Sequence, residues 1–365
     1  MNRFIALAIA VFGTGAIASE LNAQIEERPR LPREVLDVAP PSERVSGNPG
    51  QVNIRPLACQ NIPLAESRRR IVNIAVQEWA FFGFPIADLT DFDDDLPAQR
   101  NAALSNQANI YGFSFSPLRR GGRFRALPVG EASRVASSVV GYWAATPRGA
   151  TMIDRQNQEW NGPQGLTGRW ADPWSAAFIS WVMCEGGLGE SNQFQRAIAH
   201  WTYIDQAINA RDGRARQSAF VAYDLGEETI APGDLLCSGR RPAYRNIAQR
   251  RRQLGVGART HCDIVVKLDE TEERIFTIGG NVRRSVTLKL FPAETDASGK
   301  LRPTDPPEGA DMRPLFAHLK HRADPIGPNA LDSSPTLRAL DCELKFEERH
   351  LAFNLMPVSL AEGEC

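Results

Sequence analysis

Apolar positions fall on one helical face from Glu66 to Phe82, where Ile71, Ile74, Ala75 and Trp79 align and Arg68–Arg70 sit near the start. Glu131 to Ala145 repeats the pattern, with Val135, Val139, Tyr142 and Trp143 facing inward. A third helix is announced by Asp172-Pro173 and runs from Trp174 to Met183. Proline is tolerated in a first turn, where its missing N–H costs nothing, and Gly186-Gly187 mark the end. Phe194 to Ala210 reads as a fourth helix. The period then changes. Leu235-Leu236-Cys237, Ile264–Leu268, Arg274–Ile278 and the alternating Ser285–Leu290 are β-type runs. Helices first and strands after predict an α+β fold with helices packed on a small antiparallel sheet.

The ends follow different rules. Arg3 precedes an unbroken apolar run from Phe4 to Phe12, and small residues lead to Ala18 and Ala23. This is the layout of a secretory signal peptide over residues 1–23, cut after Ala18 or Ala23, which places the mature protein in the periplasm or outside the cell. The run is shorter than the ~20 residues a spanning helix needs, so no stable membrane span is expected after cleavage. Residues 24–61, rich in Pro, Arg, Glu and Gly, read as a flexible linker. Residues 62–322 then form the domain and 323–365 a C-terminal extension with helical character around Leu340–Phe353.

Composition narrows the classes. The chain has 365 residues, 42% apolar and 23% charged, which is ordinary for a folded protein. Its net charge of −1 gives no electrostatic reason to expect a nucleic-acid partner. The 6 cysteines, at 59, 184, 237, 262, 342 and 365, are all in the exported part, and no two sit within four residues of each other, which excludes zinc-ribbon and CxxC redox motifs. In an oxidising compartment they read as structural disulfides. Cys237 ends one strand and Cys262 opens the next, so a cross-strand Cys237–Cys262 bond is one plausible pairing.

Several chemistries are absent. There is no HExxH and no Gly-x-Ser-x-Gly, and Glu294 stands where a phosphate loop ending at Gly299-Lys300 would need glycine. The acidic loop Asp88, Asp91, Asp93, Asp94 and Asp95 has Leu96 and Ala102 where an EF-hand needs glycine and glutamate. No metal or organic cofactor is therefore expected.

Three residues can carry chemistry together. Ser175 falls in the first turn of the third helix, where free N–H groups and the helix dipole favour a nucleophile's negative charge and can supply an oxyanion hole. His261 opens a strand, a rigid mount for a general base. Asn281 follows Gly279-Gly280 and can fix the imidazole tautomer. Asp263, on the same strand face as His261, is the alternative orienter. Trp170, Trp174 and His200 are candidates for substrate binding. Arg250-Arg251-Arg252 reads as a solvated loop, with an anionic wall polymer as the functional alternative.

The runs Trp174-Ser175-Ala176-Ala177-Phe178-Ile179-Ser180-Trp181, Gly233-Asp234-Leu235-Leu236, His261-Cys262-Asp263-Ile264-Val265-Val266 and Ile278-Gly279-Gly280-Asn281 resemble the NlpC-type and CHAP-type superfamily of papain-like cysteine amidases and peptidases. The stretch from about 65 to 320 resembles more closely the bacterial domain-of-unknown-function family 2272, through the Pro-Trp-Ser-Ala-Ala-Phe-Ile-Ser-Trp run and His200-Trp201-Thr202-Tyr203-Ile204. The resemblance implies a papain-like core and hydrolysis of an amide bond in peptidoglycan or a wall-derived peptide, with Ser175 as nucleophile, His261 as base and Asn281 as orienter. Ser175 replaces the superfamily's cysteine, and a hydroxyl is far less acidic than a thiol. The alternative is therefore a non-catalytic envelope protein that binds wall fragments or a protein partner in a degenerate cleft.

Overall fold

The computed structural model describes residues 29–90, 129–305 and 313–341. The signal-like segment 1–23, most of the acidic loop, Cys342, Cys365 and most of the helix expected around Leu340–Phe353 lie outside these residues.

The helices are α1 (Leu64–Phe81), α2 (Val129–Ala144), α3 (Gly149–Trp160), α4 (Ser175–Glu185), α5 (Trp201–Arg211) and α6 (Ile247–Arg251). The strands are β1 (Val45–Ser46), β2 (Asn53–Ile54), β3 (Ile86–Asp88), β4 (Phe220–Tyr223), β5 (Leu235–Arg241), β6 (Arg259–Asp269), β7 (Arg274–Val282), β8 (Ser285–Thr295), β9 (Leu301–Pro303) and β10 (Leu315–His321). β1 and β2 pair with each other. The others form one eight-stranded sheet in the order β3-β8-β7-β6-β5-β10-β4, with β9 pairing β8. All of its pairings are antiparallel except β3 on β8. The fold is mixed α+β, as expected, but the sheet is larger than the sequence suggested. The expected strands form the β5–β8 meander. β3 and β4 are too short to show a period, and β10 returns from far along the chain to lie between β5 and β4.

α4 is the central helix. Every residue from Ala176 to Glu185 is buried, so the helix is covered on all sides. It packs on α1, α2, β6 and β7. Burying a side chain such as Phe178 contributes roughly 1.5–3 kcal/mol. The helix can lie this close to β7 because Gly280 has no side chain: a Cβ there would fall 2.6 Å from the Cβ of Phe178. Its C-terminus closes as the double glycine predicts. Gly187 takes φ +96°, and Leu188 N–H bonds Met183 C=O at 2.8 Å.

The segment expected to be a flexible linker is instead part of the fold from residue 29 onward. Leu36, Val38, Val45 and Val52 are buried in the main core. Arg30 reaches buried Glu78 on α1 (2.5 and 2.8 Å), and Glu78 also accepts from the Tyr142 hydroxyl. Arg44 is buried against Glu185 at 2.6 Å. Cys59 is bonded to Cys184 across 125 residues. Arg30 and Arg44, which look like linker residues, are anchors whose partners lie far away in sequence. The extension is likewise packed as far as it is described, with Leu331, Leu337 and Leu340 buried in the same core. Arg250, expected in a solvated loop, is buried, and the Nε/Nη2 edge of its guanidinium donates to the two carboxylate oxygens of Asp205 at 2.6 and 2.7 Å.

The fourth expected helix starts late. Residues 189–200 do not coil but run back along α4, because Ser180 Oγ both donates to Ala197 C=O and accepts from Ala197 N–H, each at 2.9 Å. α5 begins only at Trp201, with His200 at its N-cap.

Candidate active site

α4 begins at Ser175 with no side-chain cap, and its first internal bond runs from Phe178 N–H to Trp174 C=O at 2.9 Å. Asp172 does not cap it and pairs with Arg155 at 3.0 Å. The preceding N–H groups are thus left for a developing anion. Ser175 itself is half-buried.

Its side chain meets an imidazole, that of His200. Ser175 Oγ lies 2.7 Å from His200 Nε2. The return of 189–200 along α4 makes this contact, since it brings the start of α5 back to the start of α4. On the other edge of the ring, Nδ1 meets the Tyr203 hydroxyl, three residues along the same helix, and the backbone N–H of Cys262 at 3.2 Å. His200 is 3% exposed. Its pKa is lowered well below the ordinary value by burial and then by neighbouring His261 and Lys289, against the opposing pull of Asp263.

His261 is the second imidazole, its ring centroid 5.0 Å from that of His200. It makes no direct hydrogen bond to Ser175. Its Nε2 lies 2.8 Å from Asp263 Oδ1, and Lys289 Nζ on β8 donates to the other carboxylate oxygen at 2.8 Å. Burial lowers the pKa of His261, with Asp263 opposing and Lys289 assisting. Burial alone would raise that of Asp263, but His261, Lys289 and their hydrogen bonds outweigh it and hold the carboxyl below the usual range. The pair is therefore a neutral imidazole on an ionised carboxylate at neutral pH.

Asn281, expected as the orienter, makes no side-chain hydrogen bond among the described residues. It sits in an irregular stretch of β7 at φ +56°, and Asp263 holds the imidazole instead. Gly279 permits this. A Cβ there would fall 1.8 Å from Asp263 Oδ1 and 3.1 Å from His261 Nε2, so the carboxylate lies against bare backbone. Gly279→Ala is expected to displace Asp263 and lower any turnover by roughly a hundredfold, the usual cost of an ångström-scale misplacement. Steady-state kinetics beside a thermal melt separates this from unfolding.

The two tryptophans differ from each other. Trp174 is fully buried and stacked between Phe82 and Tyr142, with centroids at 5.9 and 5.8 Å, so it offers no face to a ligand. Trp170 is half-buried, edge-on to Trp143 and Trp160. Lys289 was not legible in the sequence, because one polar residue in an alternating strand has no distinguishing mark. The expected Cys237–Cys262 bond is present, joining residues directly opposite each other on β5 and β6. Among the described residues, no group of three or more His, Cys, Asp or Glu side chains could hold a metal ion, and no helix is long and apolar enough to cross a membrane.

The family described as "Uncharacterized protein conserved in bacteria (DUF2272)" matches residues 132–320. That span carries Ser175, His200, His261, Asp263, Asn281 and Lys289. No curated protein and no solved structure matches the chain.

Proposed function

The chain belongs to the DUF2272 family, and on that premise we propose that it is an exported hydrolase of amide bonds in bacterial cell-wall peptidoglycan, built on an NlpC/CHAP-type, papain-like core. The observation that carries the reading is the run of contacts from Ser175 through His200 to the His261–Asp263–Lys289 group, at the uncapped start of a buried helix. Ser175 is the nucleophile. His261 is the general base and acid, held through Nε2 by Asp263, so that Nδ1 is free to take a proton. The first-turn N–H groups of α4 stabilise the oxyanion. Asp263 replaces Asn281 as orienter.

Two disulfides are compatible with an oxidising compartment outside the cytoplasm. Together with the signal-like residues 1–23 they support export. The competing reading, a non-catalytic protein that binds wall fragments or a partner, rests on the hydroxyl standing where the superfamily has a thiol.

Purified protein incubated with sacculi is expected to release soluble fragments, whose masses identify the bond cut. Failure of both the natural protein and Ser175→Cys to release any fragment would sink the hydrolase reading and leave the binding one.

A further inference from the structure

We propose that His200 serves Ser175 as a hydrogen-bond donor, with its tautomer fixed by the backbone of Cys262, and that it stabilises the negative charge that grows on Oγ during attack. The proposal rests on the hydrolase reading and adds a second imidazole with the opposite role to the first.

A neutral imidazole has one N–H and one lone-pair nitrogen. The N–H of Cys262 is aimed at His200 Nδ1 from 3.2 Å, so Nδ1 holds the lone pair. The proton is then on Nε2, the atom 2.7 Å from Ser175 Oγ. A backbone amide only donates, so the tautomer stays fixed while β6 holds its position. Cys262 is itself pinned to Cys237 across the strand pair, which gives that disulfide a place in the site. Double protonation is opposed by the groups around the ring: it is buried and faces His261, with Lys289 beyond, while Tyr203 and Ser175 carry no charge and only Asp263 favours the cation.

At neutral pH His200 therefore offers Ser175 a proton donor and no lone pair. The hydroxyl proton must go elsewhere, and the base assigned to it is His261, whose ring centroid lies 5.0 Å from that of His200. Its Nε2–H is committed to Asp263 Oδ1 at 2.8 Å, which leaves Nδ1 open.

In the first step Oγ bonds to the carbonyl carbon and its proton passes to His261 Nδ1. The C–N bond then breaks, and that proton leaves with the amine. Water attacks the resulting ester, giving a proton to His261 and then to Oγ as the C–O bond breaks. One water is consumed, one amine and one carboxyl are released, and His200 keeps its proton throughout. The donor matters for serine in particular. A thiol near a helix start ionises readily, and its sulfur is a weak acceptor, whereas a hydroxyl needs its developing charge held.

His200→Ala is expected to lower kcat/KM for fragment release by about a hundred- to a thousandfold, the cost of deleting one such donor. In the Ser175→Cys background the same change should cost less than about tenfold. The acid limb of the pH profile, set by His261, should persist in His200→Ala. His200→Gln, which keeps an amide donor, should retain more activity than the alanine variant. Equal losses in both backgrounds, or disappearance of the acid limb in His200→Ala, would make His200 the base and overturn the proposal. Nitrogen-15 NMR of the histidine-labelled full chain reads the tautomer without any turnover. Protonated Nε2 and bare Nδ1 from about pH 6 to 8 are expected, and the reverse tautomer overturns the proposal even in an active enzyme. The expected tautomer in a protein that cuts no wall material would instead refute the hydrolase reading and, with it, the catalytic use of the donor.

Discussion

Ser175→Ala is expected to reduce fragment release from sacculi to background, a loss of roughly a thousandfold or more, with the fold intact. The side chain is half-buried and its hydroxyl's hydrogen bond is to His200, so its removal should cost only about 1 kcal/mol of stability. The chemical loss is much larger because His261 and the helix start then have no nucleophile to serve. Ser175→Cys provides the contrast. A thiol at the uncapped start of α4 has its anion favoured by the helix dipole and depends less on base assistance, so activity should equal or exceed that of the natural protein. Fragment release followed by chromatography, with melting curves for each variant, checks both. Unchanged release by Ser175→Ala would remove Ser175 from the mechanism.

Asp234→Ala is expected to destabilise the protein by about 3–5 kcal/mol, a large part of the ~5–15 kcal/mol typical of folded domains. Asp234 lies in the Gly-Asp turn before β5 and is fully buried. Its carboxylate accepts from Arg68 (2.7 Å), His318 (2.8 Å) and the backbone N–H groups of Ala231 and His321, both at 2.9 Å. Arg68, 1% exposed, also donates to the carbonyls of Pro232, His321 and Ala323. The cluster ties α1 to β5 and β10, and removing the carboxylate strands a buried guanidinium. Burial pushes the Asp234 pKa up, but the His318 hydrogen bond, followed by the nearby charges, outweighs it and holds the value below the ordinary carboxylate range. The associated stability is therefore fully present above about pH 4 and lost as pH falls through the folded-state value. Denaturant titrations of the natural protein and Asp234→Ala across acid and neutral pH measure both effects. A difference below about 1 kcal/mol at neutral pH would show that the cluster is not a keystone.

The motif segments were the most legible part of the fold. α4 is apolar throughout and bracketed by Pro173 and Gly186-Gly187, so its extent was readable locally. The β5–β8 runs announced themselves by alternation and β-branched content. The N-terminal segment has the local composition of a linker, because Arg30 and Arg44 show their anchoring role only once Glu78 and Glu185 lie beside them. α3 escaped notice because its apolar stripe is interrupted by Gln156 and Asn157. The late start of α5 followed from one side-chain contact, Ser180 to Ala197, which leaves no periodic trace.

Local chemistry along the chain fixes which residues carry reactive groups, where α4 begins, and that Cys237 and Cys262 can meet, because each depends on propensity within one segment or on neighbouring strands; the start of β6 at Arg259, ahead of His261, is not among them. The partners of these residues are set by packing between distant segments. The backtrack along α4 gave Ser175 to His200. The bare backbone of Gly279, with Asn281 turned into a left-handed conformation, gave His261 to Asp263. Those choices depend on long-range packing that brings three separate chain segments within hydrogen-bond distance, and no pattern along a single segment encodes it.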